Sequence, residues 1–139
     1  MEPNADNELL QLFVEEAKEN LFGLESDLIQ IEAGGSNADS DLIHKVFRAV
    51  HSVKGAAGCL SLTSESLTLA TAKDLSHRLE NLLVLIRDKV LVPSPGITNI
   101  LLEGVDQLAK LIECIGAEKE SEDGEAIIGQ LSRLDAVIA

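Results

Sequence analysis

Residues 47–58 read Phe47-Arg48-Ala49-Val50-His51-Ser52-Val53-Lys54-Gly55-Ala56-Ala57-Gly58. In and around this stretch the apolar residues Leu42, Val46, Ala49, Val50, Val53, Ala57 and Leu60 recur every three or four positions, the spacing of a helix and not of a strand. At about 100° per residue they gather into one stripe, and His51 projects roughly 160° away from its centre. Phe47, Lys54, Gly55 and Gly58 share the histidine's face. A glycine inside a helix costs about 1 kcal/mol relative to alanine. Two of them beside one exposed histidine imply that another molecule approaches the backbone closely there. An open face, a nearby cation and little steric bulk are what a histidine needs to accept a phosphoryl group.

The same periodicity continues in both directions. A first helix is expected over residues 7–33, with the stripe Leu10, Phe13, Ala17, Leu21, Leu24, Leu28 and Ile31, ended by Gly34-Gly35. Residues 36–40 form a polar connection to the second helix, at 41–60. A third spans 65–90, marked by Leu75, Leu79, Leu82, Leu83, Ile86 and Val90. Val92-Pro93-Ser94-Pro95 breaks the chain, with Ser94 as a cap and Pro95 at the first helical position of the fourth helix. That helix carries Ile97, Ile100, Leu101, Val105, Leu108, Leu111, Ile112 and Ile115. A polar loop at 117–124 leads to a short helix at 125–138 with Ile127, Ile128, Leu131, Leu134, Val137 and Ile138. Nothing alternates as a strand would, and no hairpin turn pair is present. The expectation is an all-α protein: one domain over residues 1–139, an antiparallel four-helix bundle over about 7–116, and an additional C-terminal helix packed against it.

With 139 residues, 45% of them hydrophobic, the chain can bury one substantial core. It has no Trp or Tyr and three Phe, so aliphatic side chains must build that core. Acidic residues number 24 against 11 basic ones, a net charge of −13 that repels nucleic acid and anionic membrane surfaces. Cys59 and Cys114 stand alone and are expected to be small buried side chains. With no signal peptide and no long apolar segment, the composition suggests a reduced, cytoplasmic setting. No Gly-rich phosphate loop is present, so the chain is not expected to bind ATP or phosphorylate itself.

His51-Ser52-Val53-Lys54-Gly55-Ala56-Ala57-Gly58 resembles the phosphorylation-site motif of histidine-phosphotransfer domains, in particular the N-terminal domain of CheA-type chemotaxis kinases. His77-Arg78-Leu79-Glu80-Asn81-Leu82-Leu83, followed by Ile86-Arg87, is similar to that family's His-x-x-Glu-x-x-Leu run on the next helix. The stretches 12–17 and 101–108 look like its first and fourth helices, so the resemblance covers roughly residues 8–116. Two departures stand out. Ala56 replaces a glycine frequent in the family, at a position that points toward the core side. His51 and His77 lie about two helical turns further apart than the family pattern, and the additional residues, within 61–74, are expected as a longer loop or as an extended start to the third helix.

The resemblance implies a role for each site residue. His51 would be the phosphoacceptor, and Glu80 would accept a hydrogen bond from its other ring N–H, fixing the tautomer. Lys54 would hold phosphoryl oxygens, and His77 would complete the polar cluster. Gly55 and Gly58 would leave room for a partner, with Phe47 as an exposed aromatic anchor; His44 has no role and reads as surface. The implied partners are a CheA-type kinase domain, on the same or another chain, and a CheY-like response regulator whose aspartate takes the phosphoryl group. ATP and Mg²⁺ would belong to those partners, with no cofactor bound by this chain, which as an isolated domain is expected to be monomeric. Nothing at residue 139 marks a natural end, and a piece of a larger kinase is expected. The alternatives are a helical adaptor in which His51 is incidental and a metal site built from His44, His51, His77 and Cys59. The metal site is disfavoured because His44 and His51 lie about 10 Å apart along one helix.

Overall fold

Three of the helices open on a side chain that accepts a backbone N–H, as orphan donors at a helix start require. Asp39 accepts from the amide of Asp41 at 2.9 Å, Ser66 from Leu69 at 3.3 Å, and Ser94 from Ile97 at 3.3 Å with Pro95 following it. The structure, a computed structural model, describes residues 5–62, 64, 66–117 and 124–138. Six α-helices lie within these residues: α1 (Ala5–Leu21), α2 (Leu24–Gly34), α3 (Ser40–Ser61), α4 (Leu67–Arg87), α5 (Pro95–Gly116) and α6 (Gly124–Ile138), with a 3-10 turn at Gly35–Asn37. No strand occurs among the described residues. Apart from its two ends, the loop expected at 117–124 lies outside them.

The arrangement is an all-α bundle. Its four walls are α1 with α2, then α3, α4 and α5, and α6 packs on α4 and α5. The α3–α4 interface is the most extensive. The core is aliphatic: Val46, Val50, Val53 and Ala57 of α3 share one buried cluster with Leu75, Leu79, Leu82 and Leu83 of α4 and Leu108, Leu111 and Ile112 of α5. Phe13 is the only buried aromatic among the described residues. Each fully buried Leu or Ile contributes about 1.5–3 kcal/mol relative to exposure. Gly104 allows α5 to come close to α4, since a Cβ there would lie 2.5 Å from Leu79 Cδ2. No helix among the described residues is long and apolar enough to cross a membrane.

Four expectations are corrected. The helix expected at 7–33 is two helices, broken at Gly23, whose φ of +81° is left-handed. The apolar stripe passes through the break because Leu21 and Leu24 keep helical spacing, while Phe22 at the corner is 85% exposed. Helix α4 ends at Arg87 and not at residue 90: Lys89 adopts φ 62° and donates its N–H to the Ile86 carbonyl at 3.1 Å, and the Val90 N–H reaches the Leu85 carbonyl at 2.9 Å. This is a Schellman closure with lysine in the position that glycine usually holds, and it leaves Val90 68% exposed. Ile43, not Leu42, is the buried residue at the start of the α3 stripe. Cys59 is exposed and Cys114 half-buried, because position 59 lies about 200° around the helix from the buried Ala57. Within 61–74, where the additional residues were expected, Ser61 closes α3 and residues 67–74 are helical. The α3–α4 connection is short, and α4 begins at Leu67, two turns before Asp74.

Left-handed backbone costs a residue with a Cβ about 1–2 kcal/mol. Lys89→Gly is therefore expected to stabilise the protein by about 1 kcal/mol, read as a higher urea midpoint at unchanged slope. An unchanged or lower midpoint would mean that the Lys89 side chain compensates its own strain.

Candidate functional site

Packing the α3 stripe against α4 sets the opposite edges of the two helices side by side, and there His51 and Lys54, one turn apart, meet Glu80. His51 Nδ1 lies 2.6 Å from Glu80 Oε2, and Lys54 Nζ donates to Glu80 Oε1 at 2.8 Å. Each carboxylate oxygen thus takes one donor. The Glu80 side chain is 11% exposed, whereas the His51 ring is 58% exposed. An ionised carboxylate can only accept, so Nδ1 carries a proton, and in the neutral imidazole this leaves the lone pair on Nε2. Burial by itself would push the Glu80 carboxyl up. The hydrogen bonds from Lys54 and His51, with the accompanying attraction, outweigh burial and hold it below the ordinary carboxylate range.

Aromatic contacts set the ring from the other side. Phe47 stacks on His51 with centroids 5.8 Å apart and planes 14° from parallel, and His44 stacks on Phe47 at 6.3 Å. The Arg87 guanidinium lies 4.9 Å from the Phe47 centroid. Phe47 is accordingly half-buried and engaged, where the sequence suggested an exposed anchor. His44 is exposed, as expected, but belongs to this stack. Arg87 was not anticipated. Its one signal was its position seven residues after Glu80, two turns along the same face of α4.

The glycines open the site. A Cβ at Gly55 would meet nothing within 4 Å, and one at Gly58 would touch only the Lys73 stem, at 3.8 Å. They line a groove of about 760 Å³ between α3 and α4 with Lys54, Lys73, Asp74 and His77. His77 is exposed in this groove, and no hydrogen bond among the described residues joins it to His51 or Glu80. The fold therefore brings His51, Lys54, Glu80 and Phe47 into one network and leaves His77 beside it. Lys54 faces Glu80, not open solvent. Asp74, the other carboxylate nearby on α4, is paired with Arg78. Among the described residues, no three His, Cys, Asp or Glu side chains converge as a metal would require.

A solvent-facing imidazole nitrogen, backed by a buried carboxylate on a helical bundle, defines a phosphotransfer class of site. The Hpt domain model matches residues 8–118, and the chain belongs to that family. It is similar to chemotaxis proteins named CheA. It is 33% identical over 105 residues to the chemotaxis protein CheA of Rhizobium meliloti, covering 76% of this chain and 13% of that protein. To CheA of Bacillus subtilis it is 29% identical over 126 residues, covering 91% of this chain and 17% of that one. The chain thus spans less than a fifth of the length of these relatives. Among solved structures, the phosphorylated P1 domain of CheA3 in complex with CheY6 from R. sphaeroides superposes with a TM-score of 0.73 at 26% identity, covering 96% of this chain and 99% of that one. The solution structure of the histidine phosphotransfer domain of CheA gives a TM-score of 0.75 at 28% identity, covering 94% and 91%.

Because the folded-state pKa of Glu80 is depressed, its ionised form stabilises the fold above its unfolded value, and that contribution is lost as the pH falls through the folded pKa. The difference in unfolding free energy between the wild type and Glu80→Gln is expected to be full at neutral pH and to close in acid. A gap independent of pH would show that Glu80 acts by shape alone.

Proposed function

We propose that the chain is a phosphoryl carrier in chemotaxis-type two-component signalling, with His51 as the phosphoacceptor. The observation that carries this reading is the Nδ1–Glu80 bond, which leaves Nε2 exposed with a lone pair. A kinase domain, on the same or another chain, supplies ATP and Mg²⁺; this chain binds neither. Nε2 attacks the γ-phosphorus, the N–P bond forms, and the bond to the bridging oxygen breaks with its electron pair leaving on ADP. The ring becomes a phosphorylated imidazolium whose Nδ1–H stays on Glu80, so the new positive charge faces a carboxylate. In the second step an aspartate oxygen of a response regulator attacks the phosphorus, and the N–P electrons return to Nε2. The ring proton never has to leave.

The supporting residues follow from the same geometry. Lys54 holds Glu80 in place and contributes positive charge beside the phosphoryl oxygens. Phe47 orients the ring, and Gly55 and Gly58 leave space for the partner. His77 adds a donor in the adjacent groove. The R. sphaeroides structure holds a phosphorylated P1 domain in complex with CheY6, which supports a CheY-like receiver as acceptor for this chain. In this reading the domain works in the cytoplasm with these partners and is monomeric in isolation.

The test is incubation with a CheA-type kinase domain and ATP, followed by an assay for acid-labile, base-stable phosphate. His51→Gln is expected to abolish incorporation with helicity and melting temperature nearly unchanged, since the side chain lies outside the core. Labelling at the wild-type level in that variant would refute the assignment, and no labelling of the wild type would favour a helical adaptor. Glu80→Gln should slow phosphorylation on the order of 10²-fold. Gly55→Leu, which projects into open space in the free protein, should fold normally and block transfer to the regulator; transfer at the wild-type rate would mean that the partner approaches from elsewhere.

A further inference from the structure

Glu80 alone does not fix the His51 ring. A single hydrogen bond at Nδ1, 2.6 Å long, holds one corner of the imidazole and leaves its plane free to tilt about that bond. The plane is set by Phe47, which lies 14° from parallel to the imidazole with centroids 5.8 Å apart. His44, Phe47 and His51 all stand on α3, so stacking among them ties the column to its own helix and not to α4. Arg87 supplies a tie across to α4, its guanidinium carbon 4.9 Å from the Phe47 centroid. Its own placement follows from how α4 ends. Ile86 beside it is buried, and the Lys89 and Val90 amides close back on the Ile86 and Leu85 carbonyls. Asp88 accepts from Arg87 Nε at 3.2 Å, which steadies the guanidinium without covering its face. Glu80 and Arg87 are seven residues apart, two turns along one face of α4. One helix thus places a carboxylate at the edge of the imidazole and a guanidinium on the aromatic ring that sets its plane.

We propose that Arg87 is a positioning residue for phosphoryl transfer at His51, acting through Phe47. The inference rests on the carrier reading above and adds to it a residue outside the His51–Glu80–Lys54 network. The Nε2 lone pair lies in the plane of the imidazole, so a tilt of that plane swings it off the line of attack on phosphorus. Glu80 selects which edge of the ring faces inward, and Arg87, by holding Phe47, keeps the plane from tilting. A cation over an aromatic face at a partly exposed site shifts an equilibrium by roughly two- to fivefold, and the effect on the rate should be of that size. The simpler role for a basic residue in the last turn of a helix is to complement the helix dipole. That role needs only a charge, whereas the contact with Phe47 also uses the flat guanidinium.

The experiment compares the wild type with Arg87→Met, which keeps the apolar stem, and Arg87→Lys, which keeps the charge. Nitrogen NMR of the histidine-labelled chain reads the His51 tautomer, and a CheA-type kinase domain with ATP reads kcat and KM for the chain as substrate. Arg87→Met is expected to move the His51 nitrogens away from the Nδ1–H pattern toward the mixture of a free imidazole, and to lower kcat about three- to fivefold at unchanged KM. Arg87→Lys should recover part of both effects. The same nitrogen spectrum and the same kcat in Arg87→Met would overturn the proposal. So would a higher KM with kcat and spectrum unchanged, which would make Arg87 a kinase contact. Full recovery by Arg87→Lys, with only the melting temperature altered in Arg87→Met, would reduce Arg87 to a helix-dipole partner and overturn it as well. If the wild type takes up no phosphate, the carrier reading fails by itself, and the nitrogen spectrum still decides whether Arg87 sets the ring.

Discussion

One buried carboxylate holds the functional edge of this protein together. A charge removed from water is costly unless it is paired and hydrogen-bonded, and Glu80 has a donor on each oxygen, His51 on one and Lys54 on the other. Both donors come from α3 and the acceptor from α4. A slip of one turn between the helices would therefore leave a buried charge without partners as well as mismatching Val50 and Val53 against Leu79 and Leu83. The contact that locks the register also sets the imidazole tautomer, so structural and chemical constraints coincide in one side chain.

Around this contact the division of labour is sharp. The core is aliphatic and closely packed, down to Gly104, where α5 has no room for a methyl group beside Leu79. The outer face of α3 is built in the opposite way, with glycines at 55 and 58 that forgo helix propensity of about 1 kcal/mol each. A 22-residue helix with a fully buried stripe can carry that cost, because its stability comes from packing more than from propensity. The rigid side positions the nitrogen, and the open side admits whatever brings or takes the phosphoryl group. The first turns of α4 form the far wall of the groove on this open side, which contains Lys73 and His77.

Much of the fold was legible in the chain. Ser94-Pro95 marked the start of α5, and the stripes of α3, α4 and α5 separated inner from outer faces nearly residue by residue. The open position of His51 also followed from angle counting. The break at Gly23 was hidden because Leu21 and Leu24 preserve the period across it, so a corner and a continuous helix have the same apolar pattern. The end of α4 was misplaced because Val90 continues the stripe, while the turn is made by Lys89 in a conformation that favours glycine. Cys59 was expected inside on residue type, although its angle to Ala57 pointed outward.

By itself the sequence determined the helices, their buried faces and the candidate nucleophile, because each depends on local periodicity and on caps a few residues away. That Glu80 and not Asp74 meets His51, that Lys54 faces the carboxylate, and that Arg87 of α4 reaches the Phe47 ring of α3 were decided only by tertiary structure. Each depends on how far α4 is displaced along α3. That displacement is set by the fit of two buried stripes and one buried charge, and no spacing within a single helix records it.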